Sequence, residues 1–189
     1  MTLLSPLRIV LAALVMAAFG ATPAEAFSWK LDAAKSQLGF SGTQTGAAFT
    51  GRFTRFSAQI DFDPDHPETS RIVVAVDLAS AVTGDTQRDG ALPQADWFDI
   101  AQFPQAKFVS TAIRKTGANA YAAAGTLTLR GVAKPIVLPF TLAISGSAAH
   151  AKGHLNLVRT TFGVGQGAWS SGQWVALDVG VDIDIVATR

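Results

Sequence analysis

The chain has 189 residues, 15 lysine and arginine side chains against 14 aspartate and glutamate side chains, and no cysteine. Lysine and arginine occur singly rather than in clusters, which excludes the basic surface typical of nucleic-acid-binding proteins. The composition also excludes a fold held by disulfides. We therefore expect no nucleic-acid partner and a domain that depends on core packing.

Residues 1–26 have the pattern of a secretion signal. Arg8 supplies a positive charge, residues 9–19 form an uncharged apolar run, and Ala24 and Ala26 give a small-x-small cleavage site. Because the apolar run is shorter than the roughly 20 residues of a spanning helix, cleavage is favoured over an uncleaved membrane anchor. We expect an exported, periplasmic protein with a single domain over residues 27–189 and no membrane span after cleavage.

The rest of the chain predicts strand after strand, because apolar and polar residues alternate with a period of two. The residues that share an apolar face are, in chain order, Phe56, Ala58, Ile60 and Phe62; Ile72, Val74, Val76 and Leu78; Tyr121, Ala123, Leu127 and Leu129; Ile136, Leu138, Phe140, Leu142 and Ile144; and Val175, Leu177, Val179, Val181, Ile183 and Ile185. Glycine, proline, asparagine and serine predict turns at residues 117–119, 131–135 and 145–147.

Long one-sided strands joined by short turns predict an all-β fold of antiparallel sheet. Two stacked sheets would also bury the apolar faces. A closed barrel is favoured because closure removes the exposed edges that long strands would otherwise leave.

Residues 83–110 break this alternation. A single short helical segment is expected within residues 86–98, because Gly90 and Pro93 interrupt any longer helix. The aromatic residues concentrated here are Trp97, Phe98, Phe103 and Phe108. They are interpreted either as core that plugs one end of a barrel or as a lid over an apolar interior.

Three motif-like patterns lack the context that their chemistry requires. Residues 61–65 begin like a calcium loop, but the later glycine and glutamate of such a loop are missing. His150 and His154 would stand about 13 Å apart in a strand, too far to bind one metal ion. Residues 163–168 match a dinucleotide-binding pattern without the βαβ unit around it. We therefore expect no metal and no cofactor.

An enzymatic alternative would use Asp96, Asp99 or Arg88 with a histidine. The chain has no cysteine and no nucleophile-elbow pattern around its serines. This alternative predicts that the carboxylates and a histidine converge in one pocket, with a raised carboxylate pKa. We favour a protein that is not an enzyme.

The order and spacing of many short motifs resemble those of the YceI-like family, over essentially the whole chain after residue 27. The residues that carry the resemblance include Trp29, Gly51, Arg52, Phe53, Arg88, Asp89, Trp97, Phe98, Asp99, Phe103, Pro104, Gly125, Lys134, Pro135, Arg159 and Phe162. The runs over residues 88–110 and 125–135 are the most specific.

The resemblance implies an exported, lipocalin-like, extended antiparallel barrel of eight strands whose apolar interior binds a polyisoprenoid or a similar long amphiphile. An isoprenoid quinone is one candidate. Two departures matter. Lys35 stands before Ser36 where many members have histidine, so no role of that histidine is carried over. Thr160 follows Arg159 where the family often has aspartate, which puts a polar contact near the barrel end in question.

The leading hypothesis is a periplasmic binding or carrier protein for a long-chain lipid. The predicted ligand-binding residues, taken from the apolar strand faces and the aromatic segment, are Phe40, Phe53, Phe56, Trp97, Phe98, Phe108, Leu127, Leu129 and Phe140. Alternation does not separate ligand contact from core filling. Two competing functions are a barrel-based enzyme that acts on an amphiphile and an accessory subunit of a membrane electron-transfer or stress-response system, which would dock through an exposed apolar patch. Whether two copies pair as a homodimer stays open.

Overall fold

A computed structural model describes residues 27–189, and the predicted signal segment lies outside them. The strands are β1 Ser28–Leu31, β2 Gln37–Gln44, β3 Ala47–Phe53, β4 Phe56–Asp61, β5 Arg71–Asp77, β6 Ala81–Val82, β7 Gln105–Lys115, β8 Ala120–Leu129, β9 Val132–Ser145, β10 Ala148–Val158 and β11 Asp178–Thr188. Helix α1 spans Thr86–Ala91, and short 3-10 turns lie at Pro67–Thr69, Leu78–Ser80, Arg159–Phe162 and Gly167–Trp169. Within residues 27–189, no helix has the length and apolar character needed to cross a bilayer.

A closed antiparallel barrel is formed by β1, β4, β5, β7, β8, β9, β10 and β11, in that order around the ring. The ring closes because β1 pairs with β4 on one side, where Trp29 lies opposite Ile60, and with β11 on the other, where Leu31 lies opposite Ala187. β2 pairs with the middle of β11, and β3 joins β2 to β6, so these three strands extend the wall. Within residues 27–189, the predicted all-β, eight-stranded barrel with one short helix is confirmed.

The hairpin between β8 and β9 is tighter than the sequence predicts. The pattern predicts a turn over residues 131–135, but the turn consists of Arg130 and Gly131, and Leu129 pairs directly with Val132. Both turn residues have positive φ, 49° and 73°, which is the geometry of a two-residue turn whose twist matches that of the flanking strands. The positive φ of a non-glycine residue is what the sequence pattern did not reveal.

The last strand also differs from expectation. The alternation predicts a strand from Val175 onward, but β11 begins at Asp178. Val175 instead makes an isolated bridge with Gln44, and the amide of Ala176 donates to the carbonyl of Thr43. The segment before β11 is therefore held against the tip of the β2–β3 hairpin.

The ladder between β9 and β10 is limited by proline. It pairs residues 140–145 of β9 with residues 148–153 of β10. The next residue of β9 is Pro139, which has no N–H to donate, so the ladder ends there. Residues 132–139 of β9 pair with β8, which keeps this half of the strand in the sheet.

Candidate functional site

The barrel encloses two apolar cavities along its length. The inner chamber, of ≈ 120 Å³, lies near the hairpin ends of β7–β8 and β9–β10 and is lined by apolar side chains that include Trp29, Phe56 and Phe140. The outer chamber, of ≈ 210 Å³, lies toward the opposite end. Among the described residues that line the outer chamber, one is charged, and it is Arg159. Such concave, apolar spaces are the usual form of small-molecule sites.

The interior is hollow rather than filled. Leu127, Leu129, Leu138, Leu155 and Leu157 line the outer chamber, yet each is only half-buried. Leucines that face a close-packed core are normally buried completely. The accessible surface of these side chains therefore faces the cavity, where an apolar ligand would cover it.

Glycine keeps one large aromatic ring against the wall of the outer chamber. Gly51 of β3 lies opposite Phe40 of β2. A Cβ atom at position 51 would stand 2.7 Å from Cε2 of Phe40, so the ring covers the glycine. Because glycine leaves this space, Phe40 packs against the backbone and leaves the centre of the chamber open.

The irregular part of the chain covers the outer chamber. We call residues 83–104 the cap, since β7 begins at Gln105. Asp85 caps helix α1 by accepting a hydrogen bond from the Arg88 amide at 2.9 Å, and Pro93 stops the helix soon after it begins. Cap residues that line the chamber are Leu92, Trp97 and Phe98. The segment predicted as plug or lid therefore supplies part of the chamber wall.

The carboxylate of Asp89 in helix α1 binds the first residue of the cap, Thr83. Asp89 accepts hydrogen bonds from the amide of Thr83 at 2.7 Å and from its hydroxyl at 2.6 Å. The hydroxyl bond is the main cause that lowers the pKa of Asp89 below its ordinary value, so the side chain stays ionised near neutral pH. Asp89 is thus a structural residue of the cap.

The two aspartates of the enzymatic alternative also make structural contacts. Asp99, with φ of 51°, is buried; its carboxylate lies 3.8 Å from Arg130 and accepts a hydrogen bond from Gln102 at 2.8 Å. Arg130 also donates to the carbonyl of Ala95. The carbonyl of Asp96 accepts from two amides of the loop after β10. These contacts fix the cap to the β8–β9 turn and to the neighbouring loop.

The histidines lie elsewhere. His66, His150 and His154 are exposed, and each contacts a surface carboxylate: Asp63 at 3.0 Å, Asp184 at 2.5 Å and Asp182 at 2.7 Å, respectively. Within residues 27–189, Asp96 and Asp99 do not converge with a histidine in either chamber. The geometry that the enzymatic alternative requires is therefore not found in this part of the chain.

His154 should titrate above the ordinary histidine pKa of 6.5, because its hydrogen bond to Asp182 stabilises the protonated ring. Because the pKa of His154 is higher in the folded state, this contact stabilises the fold at pH values below the ordinary pKa. The stabilisation is lost as the pH rises through the raised pKa. We expect an NMR titration to give a midpoint above 6.5, and Asp182→Asn to move it down. An unchanged midpoint in the variant would contradict the assigned cause.

Arg159 is a site residue that sequence reasoning did not select. Its side chain is 4% exposed and donates to the carbonyls of Ala176, Val164, Gly165, Trp169 and Val175. Burial lowers the pKa of this guanidinium from its ordinary value, since no carboxylate among residues 27–189 pairs with it. In this chain, which has Thr160 after Arg159, backbone carbonyls thus supply the polar contacts of the buried arginine.

The predicted ligand-binding residues all line the two chambers. Phe56 and Phe140 line the inner chamber; Phe40, Phe53, Trp97, Phe98, Leu127 and Leu129 line the outer chamber; and Phe108 lines both. Their contact with a ligand stays a prediction. The sequence reasoning missed Leu38, Phe49, Leu92, Leu155, Leu157, Phe162, Val164 and Val175, which line the outer chamber with them. The apolar alternation of β10 could have revealed Leu155 and Leu157.

Comparisons with known proteins agree with the barrel. The YceI-like domain family matches residues 29–187. A UPF0312 protein of Pseudomonas putida strain W619 is 33% identical over 162 residues, which cover 82% of this chain and 78% of the relative. A UPF0312 protein of Pseudomonas savastanoi pv. phaseolicola is 42% identical over 91 residues, 48% of this chain and 47% of the relative. The match thus spans about half the length of the second relative.

Solved structures share the same architecture. Burkholderia cenocepacia BcnA is 36% identical, with a TM-score of 0.82, and the match covers 84% of this chain and 100% of that one. A Campylobacter jejuni YceI protein is 26% identical, with a TM-score of 0.67 and coverage of 74% and 84%. A polyisoprenoid binding domain from Saccharophagus degradans, implicated in plant cell wall breakdown, is 18% identical, with a TM-score of 0.69 and coverage of 86% and 99%. The last similarity concerns the fold alone.

Proposed function

The chain belongs to the YceI-like domain family, and from this premise we propose that its barrel binds a polyisoprenoid or a similar long amphiphilic lipid. The observation that carries the proposal is the hollow interior, whose walls are apolar from the inner chamber to the cap. Each methylene group that enters such a space gains about 0.8 kcal/mol. A long tail can therefore be held without specific polar contacts.

The protein acts in this proposal as a periplasmic carrier and not as an enzyme. The secretion pattern of residues 1–26 supports export. The polar residues near the outer chamber support binding rather than chemistry, since Asp89, Asp99 and Arg159 are each engaged in bonds that hold the cap or its neighbouring loop. The Saccharophagus degradans domain of the same fold is a polyisoprenoid binding domain, which makes this lipid class the first to test. An isoprenoid quinone is one member of that class.

Mass spectrometry of bound lipid tests the proposal. The protein is purified without detergent, its lipids are extracted, and the delipidated protein is then incubated with isoprenoid alcohols and quinones. We expect an isoprenoid in the native extract and saturable uptake by the delipidated protein. An unrelated β-barrel protein purified in parallel controls for contaminating lipid. The proposal would be wrong if the native protein contains no lipid and the delipidated protein also takes up no long isoprenoid.

A further inference from the structure

The two chambers meet at a ring of five side chains, and each comes from a different strand. Leu38 of β2, Val74 of β5, Phe108 of β7, Leu138 of β9 and Ile183 of β11 line both cavities. Two pairs among them are cross-strand neighbours, Leu38 with Ile183 and Val74 with Phe108. We call this ring the waist. A ligand tail that extends from one chamber to the other has to pass through it.

Phe108 is the largest side chain of the waist, and a glycine determines where its ring lies. Gly125 of β8 lies near Phe108 across the β7–β8 ladder. A Cβ atom at position 125 would stand 2.6 Å from both Cε2 and Cζ of Phe108, so the ring covers the glycine. Phe108 is thereby held against the barrel wall. The bulkiest member of the waist therefore lies along the wall rather than across the waist.

The inner chamber ends in packed aromatic rings. Tyr121 stacks on Phe140 with ring centroids 5.5 Å apart, and Phe62 packs edge-on against Tyr121 at 5.3 Å. The indole N–H of Trp29 donates to the carbonyl of Phe62 at 2.9 Å, and this hydrogen bond further stabilises the aromatic packing. Phe62, Tyr121, Phe140 and Trp29 are all buried. These packed rings occupy the end of the inner chamber that lies away from the waist, so we expect a tail to enter the inner chamber through the waist.

We propose that the waist makes the barrel select its ligands by tail length. This inference rests on the proposed function. A short tail fills the outer chamber and stops before the waist, whereas a longer tail crosses it and buries further methylene groups in the inner chamber. Each additional buried methylene raises the affinity about fourfold. The packed rings of Phe62 and Tyr121 set the tail length beyond which additional methylene groups add no affinity.

Leu138→Phe tests the waist by narrowing it from β9. The probes are farnesol, which has a short tail, and solanesol, which has a long one, each measured by competition on delipidated protein. The wild type should bind solanesol more tightly than farnesol. In the variant we expect solanesol affinity to fall by about tenfold or more, while farnesol affinity changes by less than about twofold. Val137→Phe is the matched control, because the neighbouring side chain is 54% exposed on the outer face.

The outcomes separate this inference from the function on which it rests. A wild type that binds neither alcohol contradicts the proposed function itself. If the wild type binds both alcohols equally, the proposed lipid binding stands but selection by the waist is contradicted. The same conclusion follows if Leu138→Phe lowers the affinity for both alcohols equally. If circular dichroism shows that Leu138→Phe is unfolded, Ile183→Phe narrows the same ring from β11 and carries the same expectation.

Discussion

Replacing Arg159 by alanine should destabilise the protein by about 3 kcal/mol or more, since a buried polar group that loses its partner costs about 1–3 kcal/mol. The guanidinium donates to five backbone carbonyls, and the side chain is 4% exposed. Relaxation of the loop would rehydrate some of these carbonyls, so the loss stays below the sum of the separate penalties. Urea unfolding followed by circular dichroism measures the change.

Two matched variants interpret this result. Arg159→Lys keeps the charge but cannot span five acceptors, so an intermediate loss is expected. Arg55→Ala removes an arginine whose side chain is 62% exposed and whose ion pair with Asp77 lies on the surface, so the free energy of unfolding should change by less than about 1 kcal/mol. An Arg159→Ala protein as stable as Arg55→Ala would contradict the role assigned to Arg159.

Arg159 also shows why part of the site was not predictable from the sequence. Its partners are carbonyl groups, which every residue has, so no residue type near it reports the contact. Gly165 is one nearby residue that nevertheless reflects the contact. Its φ is +79°, and a Cβ atom there would lie 2.8 Å from Cζ of Arg159. Gly165 thus gives the backbone close access to the guanidinium. In the sequence alone, residues 163–168 matched only a dinucleotide-binding pattern that lacked its βαβ context.

The strand faces were predictable because burial on one side of a sheet imposes a period of two. Val74 and Val76, for example, point inward as the alternation of β5 predicts, and they line the outer chamber. The hollow interior was not predictable, because it depends on how side chains from opposite walls meet. Gly51 and Gly125 show this, since each leaves space for a ring from the neighbouring strand and so keeps the lumen open. The sequence shows where a glycine stands but not which aromatic ring occupies the space beside it.

Leu127→Asp should abolish tight lipid binding, which tests the predicted ligand-binding residues directly. Leu127 lies on β8, lines the outer chamber and is half-buried. In the empty chamber the new carboxylate stays hydrated, but a bound tail would remove that water and leave the charge without a partner. We expect solanesol affinity to fall by about a hundredfold or more, equivalent to about 2.8 kcal/mol. Competition binding on delipidated protein measures the loss.

Thr128→Asp is the control for this variant, because the next side chain on the same strand points to the other face of the sheet. It adds the same charge, so a shared loss would indicate a general effect on the fold rather than contact with the ligand. Circular dichroism must show native β-structure for both variants, since an unfolded Leu127→Asp protein would lose binding for another reason. In that case Leu127→Asn, which is polar but uncharged, replaces it with a smaller expected loss. A folded Leu127→Asp protein that binds solanesol as the wild type does would place the tail outside the outer chamber and show the predicted contacts there to be wrong.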